Sequence, residues 1–68
     1  MQLLDRKAVC ERTSLSKTQI YRLMAAGAFP KPVSLGARKV AWVAEEVALF
    51  IAERVSERDE RAEARASA

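Results

Sequence analysis

Histidine is absent from this sequence, and cysteine occurs once, at Cys10. These shortages exclude an internal disulfide and a Cys/His zinc site, so folding rests on packing. Cys10 falls among apolar helical positions and reads as a small buried hydrophobe rather than a reactive thiol. No apolar run approaches the roughly 18 residues of a membrane span, and no basic start with an apolar stretch behind it suggests a secretory leader. A glycine-rich phosphate loop and a nucleophile with a histidine base are also missing. Glu45 and Glu46 are adjacent, so on a helix they point about a hundred degrees apart and form no acid–base pair. At 68 residues the chain is one domain at most, burying only around 60 % of its unfolded surface and leaving little room for a cleft. A cytoplasmic non-enzyme without cofactor or metal is expected.

Acidic residues are missing from the middle of the chain. Between Arg12 and Ala44 the ionisable side chains are Arg12, Lys17, Arg22, Lys31, Arg38 and Lys39, six cations without an Asp or Glu. The formal net charge of +3 conceals this block, because Asp5 and Glu11 precede it and Glu45 and Glu46 follow it. In the tail, Glu53, Glu57, Asp59, Glu60 and Glu63 outnumber the arginines. A basic run is often a solvated face; one that coincides with a recognition motif points to nucleic acid.

Half the residues are apolar, a globular balance rather than that of a disordered chain. Asp5 ahead of RKAVCER is a candidate N-cap for a first helix running to about Thr13. Leu3 and Leu4 before it are expected to pack back as a short extended arm. Thr13-Ser14-Leu15 interrupts the pattern, and Ser16 caps a second helix over about Lys17 to Ala26. Ile20, Leu23 and Met24 form its apolar stripe, and Gly27 can take the left-handed conformation that closes it. Two short helices so joined resemble a helix-turn-helix.

Pro30 and Pro32 then prohibit further helix. Val33 and Leu35 alternate with Ser34, and Val40 and Trp42 with Ala41, around a loop of Gly36 to Lys39. This predicts a two-stranded hairpin with one apolar face, with Ser34, Lys39 and Ala41 pointing outward and Arg38 at the tip. Glu45 and Glu46 open a third helix, where their charge complements the helix dipole. Val47, Phe50, Ile51 and Val55 face its core. The fold class is therefore mainly α with a small β-hairpin, a winged helix-turn-helix. Residues 3–55 form the domain, and 56–68 a charged tail, either a frayed solvated helix or disordered. The expected core is Val9, Leu15, Ile20, Leu23, Met24, Phe29, Leu35, Val40, Trp42, Val47, Phe50 and Ile51.

A second helix of this kind lies in the major groove of double-stranded DNA with its N-terminal half toward the base edges. Its exposed residues would be Ser16, Lys17, Thr18, Gln19, Tyr21 and Arg22. Arg and Lys can donate to guanine, Gln can pair with adenine, and hydroxyls or helix N-terminal amides can hold phosphate. Each also has a plain structural role: Ser16 as a cap, Lys17 and Gln19 as solvated surface, Tyr21 as an edge of the core. Lys31, Arg38 and Lys39 on the hairpin, with outward Ser34, would form a wing for a minor groove or its phosphates. Trp42, in step with Val40, reads as a core anchor in preference to a base-stacking platform.

The stretch from Leu4 to Val55, above all LSKTQIYRLMAAGAFPKPVSLGARKVAW and EEVALFIAERV, resembles the AlpA-type regulators of prophages and mobile elements. These are small relatives of the MerR-type winged helix and of phage excisionases. The resemblance implies a transcriptional regulator, with Ser16, Lys17, Thr18, Tyr21 and Arg22 toward the major groove and Arg38 and Lys39 at the wing tip. Phe50 stands where many relatives have Trp, a swap that keeps an aromatic contact. MerR-type activators append a dimerisation helix and an effector domain, whereas only the charged tail follows Val55 here. No small-molecule effector is therefore expected, and the chain is expected to be a monomer. Neighbouring copies on DNA, RNA polymerase or an integrase are its expected partners at the nucleoid. Two alternatives remain open at this stage: an excisionase or architectural factor that bends DNA beside an integrase, and a protein-interaction module such as an antirepressor.

Overall fold

The computed structural model describes residues 1–67. Asp5 caps the first helix, α1 (Arg6–Thr13), its Oδ1 accepting from Ala8 N at 2.8 Å. One of the free amides of the first turn is thereby satisfied. The helix stops because Ser14 takes a left-handed backbone (φ 60°). Its amide donates to Cys10 O at 2.8 Å, while Thr13 Oγ1 donates to Val9 O at 2.8 Å and accepts from Leu15 N at 3.3 Å.

The second helix, α2 (Lys17–Ala25), begins with a reciprocal capping box. Ser16 Oγ accepts from Gln19 N at 3.2 Å, and Gln19 Oε1 accepts from Ser16 N at 2.9 Å. At the other end Gly27, at φ 74°, lets two amides turn back onto orphan carbonyls. Gly27 N donates to Met24 O at 3.0 Å and Ala28 N to Leu23 O at 2.8 Å, the paired bonds of a Schellman closure.

Two strands follow, β2 (Val33–Gly36) and β3 (Lys39–Val43), and the expected N-terminal arm pairs with β3 as β1 (Leu3–Leu4). The antiparallel sheet has the order β1-β3-β2, with Leu3 opposite Val43 and Leu4 opposite Trp42. Winged helix-turn-helix architecture is thus present, mainly α with a small hairpin, and the arm adds a third strand to it.

The hairpin's side-chain phase corrects the sequence reading. Ser34 lies opposite Val40 and Val33 opposite Ala41, with a register shift between Ser34 and Gly36. Directly opposed residues share a face, so Ser34 is on the side of Val40 and Trp42, and Val33 is on the outer side. Leu35 sits in the shift and is 48 % exposed, so it does not belong to the core. A single extra residue in one strand reverses every later assignment made by strict alternation. Lys39 is exposed as expected, whereas outward Ala41 in the central strand is buried.

The core consists of Leu4, Val9, Ile20, Phe29, Trp42, Ala44 and Val47, with Leu15, Leu23, Met24, Val40, Phe50 and Ile51 partly buried against it. Trp42 is fully buried, and its Nε1 donates to Pro30 O at 3.1 Å, as a core anchor requires. Phe29 meets Phe50 edge-to-face at 4.7 Å.

The third helix, α3 (Ala44–Ser67), has 24 residues, about 36 Å of helix at 1.5 Å per residue. Val55 is 42 % exposed, which corrects its assignment to the core-facing stripe: the small domain ends before that turn does. Of the expected tail at 56–68, α3 takes in residues up to Ser67, and residue 68 lies outside the described residues. No helix among the described residues is long and apolar enough to cross a membrane.

Candidate nucleic-acid interface

Ile20 fixes how α2 presents its surface, because it is fully buried while Leu23 and Met24 are partly buried beside it. At 100° per residue, these three occupy one side of the helix, and Lys17, Thr18, Tyr21 and Arg22 fall within an arc of about 140° on the other. All four are exposed, Tyr21 at 38 %. Ser16 and Gln19 are exposed too, but the capping box occupies them. The Gln19 oxygen already accepts from Ser16 N, so a bidentate contact from Gln19 to adenine would have to open the box. The Ser16 hydroxyl hydrogen remains available to a phosphate.

In the wing, Arg38 and Lys39 are exposed at the turn, and Arg38 holds a left-handed backbone (φ 65°). Beside them lies a cluster that sequence reasoning missed: Arg6 and Lys7, in the first turn of α1, line the same shallow depression as Arg38 and Lys39. A local signal pointed to Arg6 and Lys7. The positive end of a helix dipole favours acids, yet α1 has no acid in its first turn and carries these two cations there. Lys31 and Ser34 are also exposed, but they belong to the start and middle of the hairpin rather than to the depression at its tip.

Asp5 is the one acid lining the depression, and it is engaged as the cap of α1. Among the described residues no ion pair involves a cation of α1, α2 or the wing; the pairs found, Arg54 with Glu57 and Arg58 with Asp59, lie on α3. The three helix N-termini differ in the same sense. Glu45 and Glu46 serve that of α3, whereas α2, like α1, has no acid in its first turn and begins with Lys17. The start of α2 thus combines amides, dipole and a cation, the set that binds an external anion, whereas at α1 the Asp5 carboxylate already serves as the cap.

With this arrangement in view, the comparisons with known proteins are specific. The profile of the family described as "Prophage CP4-57 regulatory protein (AlpA)" matches residues 2–55. The chain is also 46 % identical over 44 residues to "Uncharacterized protein ORF88" of Enterobacteria phage P4. That match covers 65 % of this chain and 50 % of the relative, so the chain spans about half the length of the curated relative it matches. The matched span takes in both helices of the helix-turn-helix, the wing and the core-facing turns of α3. The chain belongs to the AlpA family of prophage regulatory proteins.

Proposed function

We propose that this chain is a sequence-specific double-stranded DNA-binding transcriptional regulator that acts in the cytoplasm at the nucleoid. Helix α2 enters the major groove with Lys17, Thr18, Tyr21 and Arg22, and the wing sets Arg38 and Lys39 on a minor groove or its phosphates. Arg6 and Lys7 extend that phosphate contact from α1. The observation that carries the reading is the set of unpaired cations on α1, α2 and the wing, four of which, Arg6, Lys7, Arg38 and Lys39, share one depression.

The test combines site selection from a random duplex pool with three substitutions. Arg22→Ala is expected to reduce discrimination among the selected sequences. Arg38→Ala and Lys39→Ala are expected to weaken binding to all duplexes alike and to flatten the salt slope. With about four phosphates contacted, affinity falls roughly a hundredfold between 50 and 200 mM salt. Absence of duplex binding at low salt, or wild-type behaviour of all three variants, overturns the assignment.

A further inference from the structure

We propose that the groove between the helix-turn-helix and α3 is a docking site for an acidic amphipathic helix of a partner protein. Its floor is apolar: Leu15 from the turn and Leu23 from α2 face Phe50, Ile51 and Val55 of α3, enclosing about 400 Å³. The four other than Val55 are only partly buried and Val55 is largely exposed, so the folded domain leaves this surface in water. An apolar floor with charged margins has the chemistry that an amphipathic helix recognises in a groove.

The margins specify the charge of the occupant. Arg12 stands on the α1 bank, and Arg54 and Arg58 on the α3 bank. Arg12 has no ion-pair partner among the described residues. Arg54 reaches Glu57 at 3.5 Å and Arg58 reaches Asp59 at 2.9 Å, through side chains that are all at least half exposed. Such surface pairs contribute little and exchange readily for a better-placed carboxylate. Arg54 also lies 5.1 Å from the centre of the Phe50 ring, a contact that holds its guanidinium at the groove edge.

Two other occupants fit less well. A nucleic acid backbone would satisfy the arginines but brings no apolar groups for the floor. A second copy docking groove to groove would repeat each residue across the two-fold axis, setting Arg12, Arg54 and Arg58 against the same three cations. The α3 segment beyond Val55 offers no apolar side chain larger than alanine, so a neighbour's tail would leave the floor unfilled. A partner helix with leucine-like residues at i, i+3 or i+4 and i+7, flanked by Asp or Glu, supplies both requirements.

The proposal does not depend on the DNA reading and is tested apart from it. The full chain is titrated with two synthetic helical peptides of about four turns that share the same leucine spacing, one flanked by Glu and the other by Lys. Binding is followed by NMR. The Glu peptide is expected to bind roughly tenfold more tightly at low salt and to shift the Leu15, Leu23 and Val55 methyl signals. The exposed double substitution R54E/R58E, with its helical content checked by circular dichroism, is expected to reverse the preference. Equal affinities, no binding, or shifts confined to Lys17, Arg22 and Arg38 overturn the proposal. A loss of duplex affinity in R54E/R58E without peptide binding to the parent chain also overturns it and assigns these arginines to DNA.

Discussion

Arg38 occupies a left-handed backbone conformation that a glycine would hold without strain. The fold therefore keeps a guanidinium at the wing tip at a cost of about 1 kcal/mol or more. Arg38→Gly is expected to raise stability by roughly 0.5 kcal/mol, the relief of strain being partly offset by a freer unfolded chain. Arg38→Ala leaves stability within about 0.5 kcal/mol. Both are expected to bind duplex more weakly, so urea unfolding and a binding titration on the same two proteins separate the structural role of the position from the electrostatic one. At Gly27 the expectation reverses. Open space surrounds a Cβ there, but φ is 74°, so Gly27→Ala is expected to cost about 1 kcal/mol through the backbone alone. In a domain this small, that lowers the melting temperature by about 4–8 °C.

Helix α1 shows the same exchange on the scale of an element. Placing Arg6 and Lys7 on the positive end of its dipole opposes helix formation. Lys7→Glu is expected to raise stability by about 0.5–1 kcal/mol and to weaken duplex binding by roughly tenfold or more at low salt. Thermal unfolding and a low-salt titration check the two directions, and lower stability in this variant would contradict the dipole account. The helices were legible in the sequence because their signals are local: Asp5 and Ser16 as caps, Gly27 as a terminator, Pro30 and Pro32 as a barrier, Ile20 with Leu23 and Met24 as a stripe. The phase of the hairpin was not legible. The sequence VSLG is compatible with either side facing the core, and a bulge in place of strict alternation reversed the sides of Ser34 and Val33 and exposed Leu35. The joining of Arg6 and Lys7 to the wing is not legible for a related reason: tertiary packing brings them to Arg38 and Lys39 across more than thirty positions of chain.

The whole molecule is a small globule with a rod attached. Its extents are 52 × 24 × 19 Å and its radius of gyration 14.3 Å, against about 11 Å for a compact chain of this length. The difference comes from α3 beyond Val55, where no large apolar residue reaches the core. Its helical form rests on good helix formers and on exposed pairs such as Arg54–Glu57, each contributing tenths of a kcal/mol. We infer that residues 3–55 are the folding unit. A chain ending at Ser56 is accordingly expected to melt within a few degrees of the full protein, with lower mean helicity by circular dichroism; a much larger drop would show that the rod supports the core.

Under the proposed function, the Ser16–Gln19 capping box also limits how much information an operator can carry. With the Gln19 oxygen committed to the backbone, base reading in the proposed complex would fall mainly to Lys17, Thr18 and Arg22. At about 2 kcal/mol per good contact, three of them amount to about 6 kcal/mol of discrimination. Singling out one address among ~10⁶ competing sites requires about 8 kcal/mol. On that proposal a single copy would read a short, degenerate word, and a unique genomic address would have to be spelled by repetition of that word or completed by a second protein bound alongside.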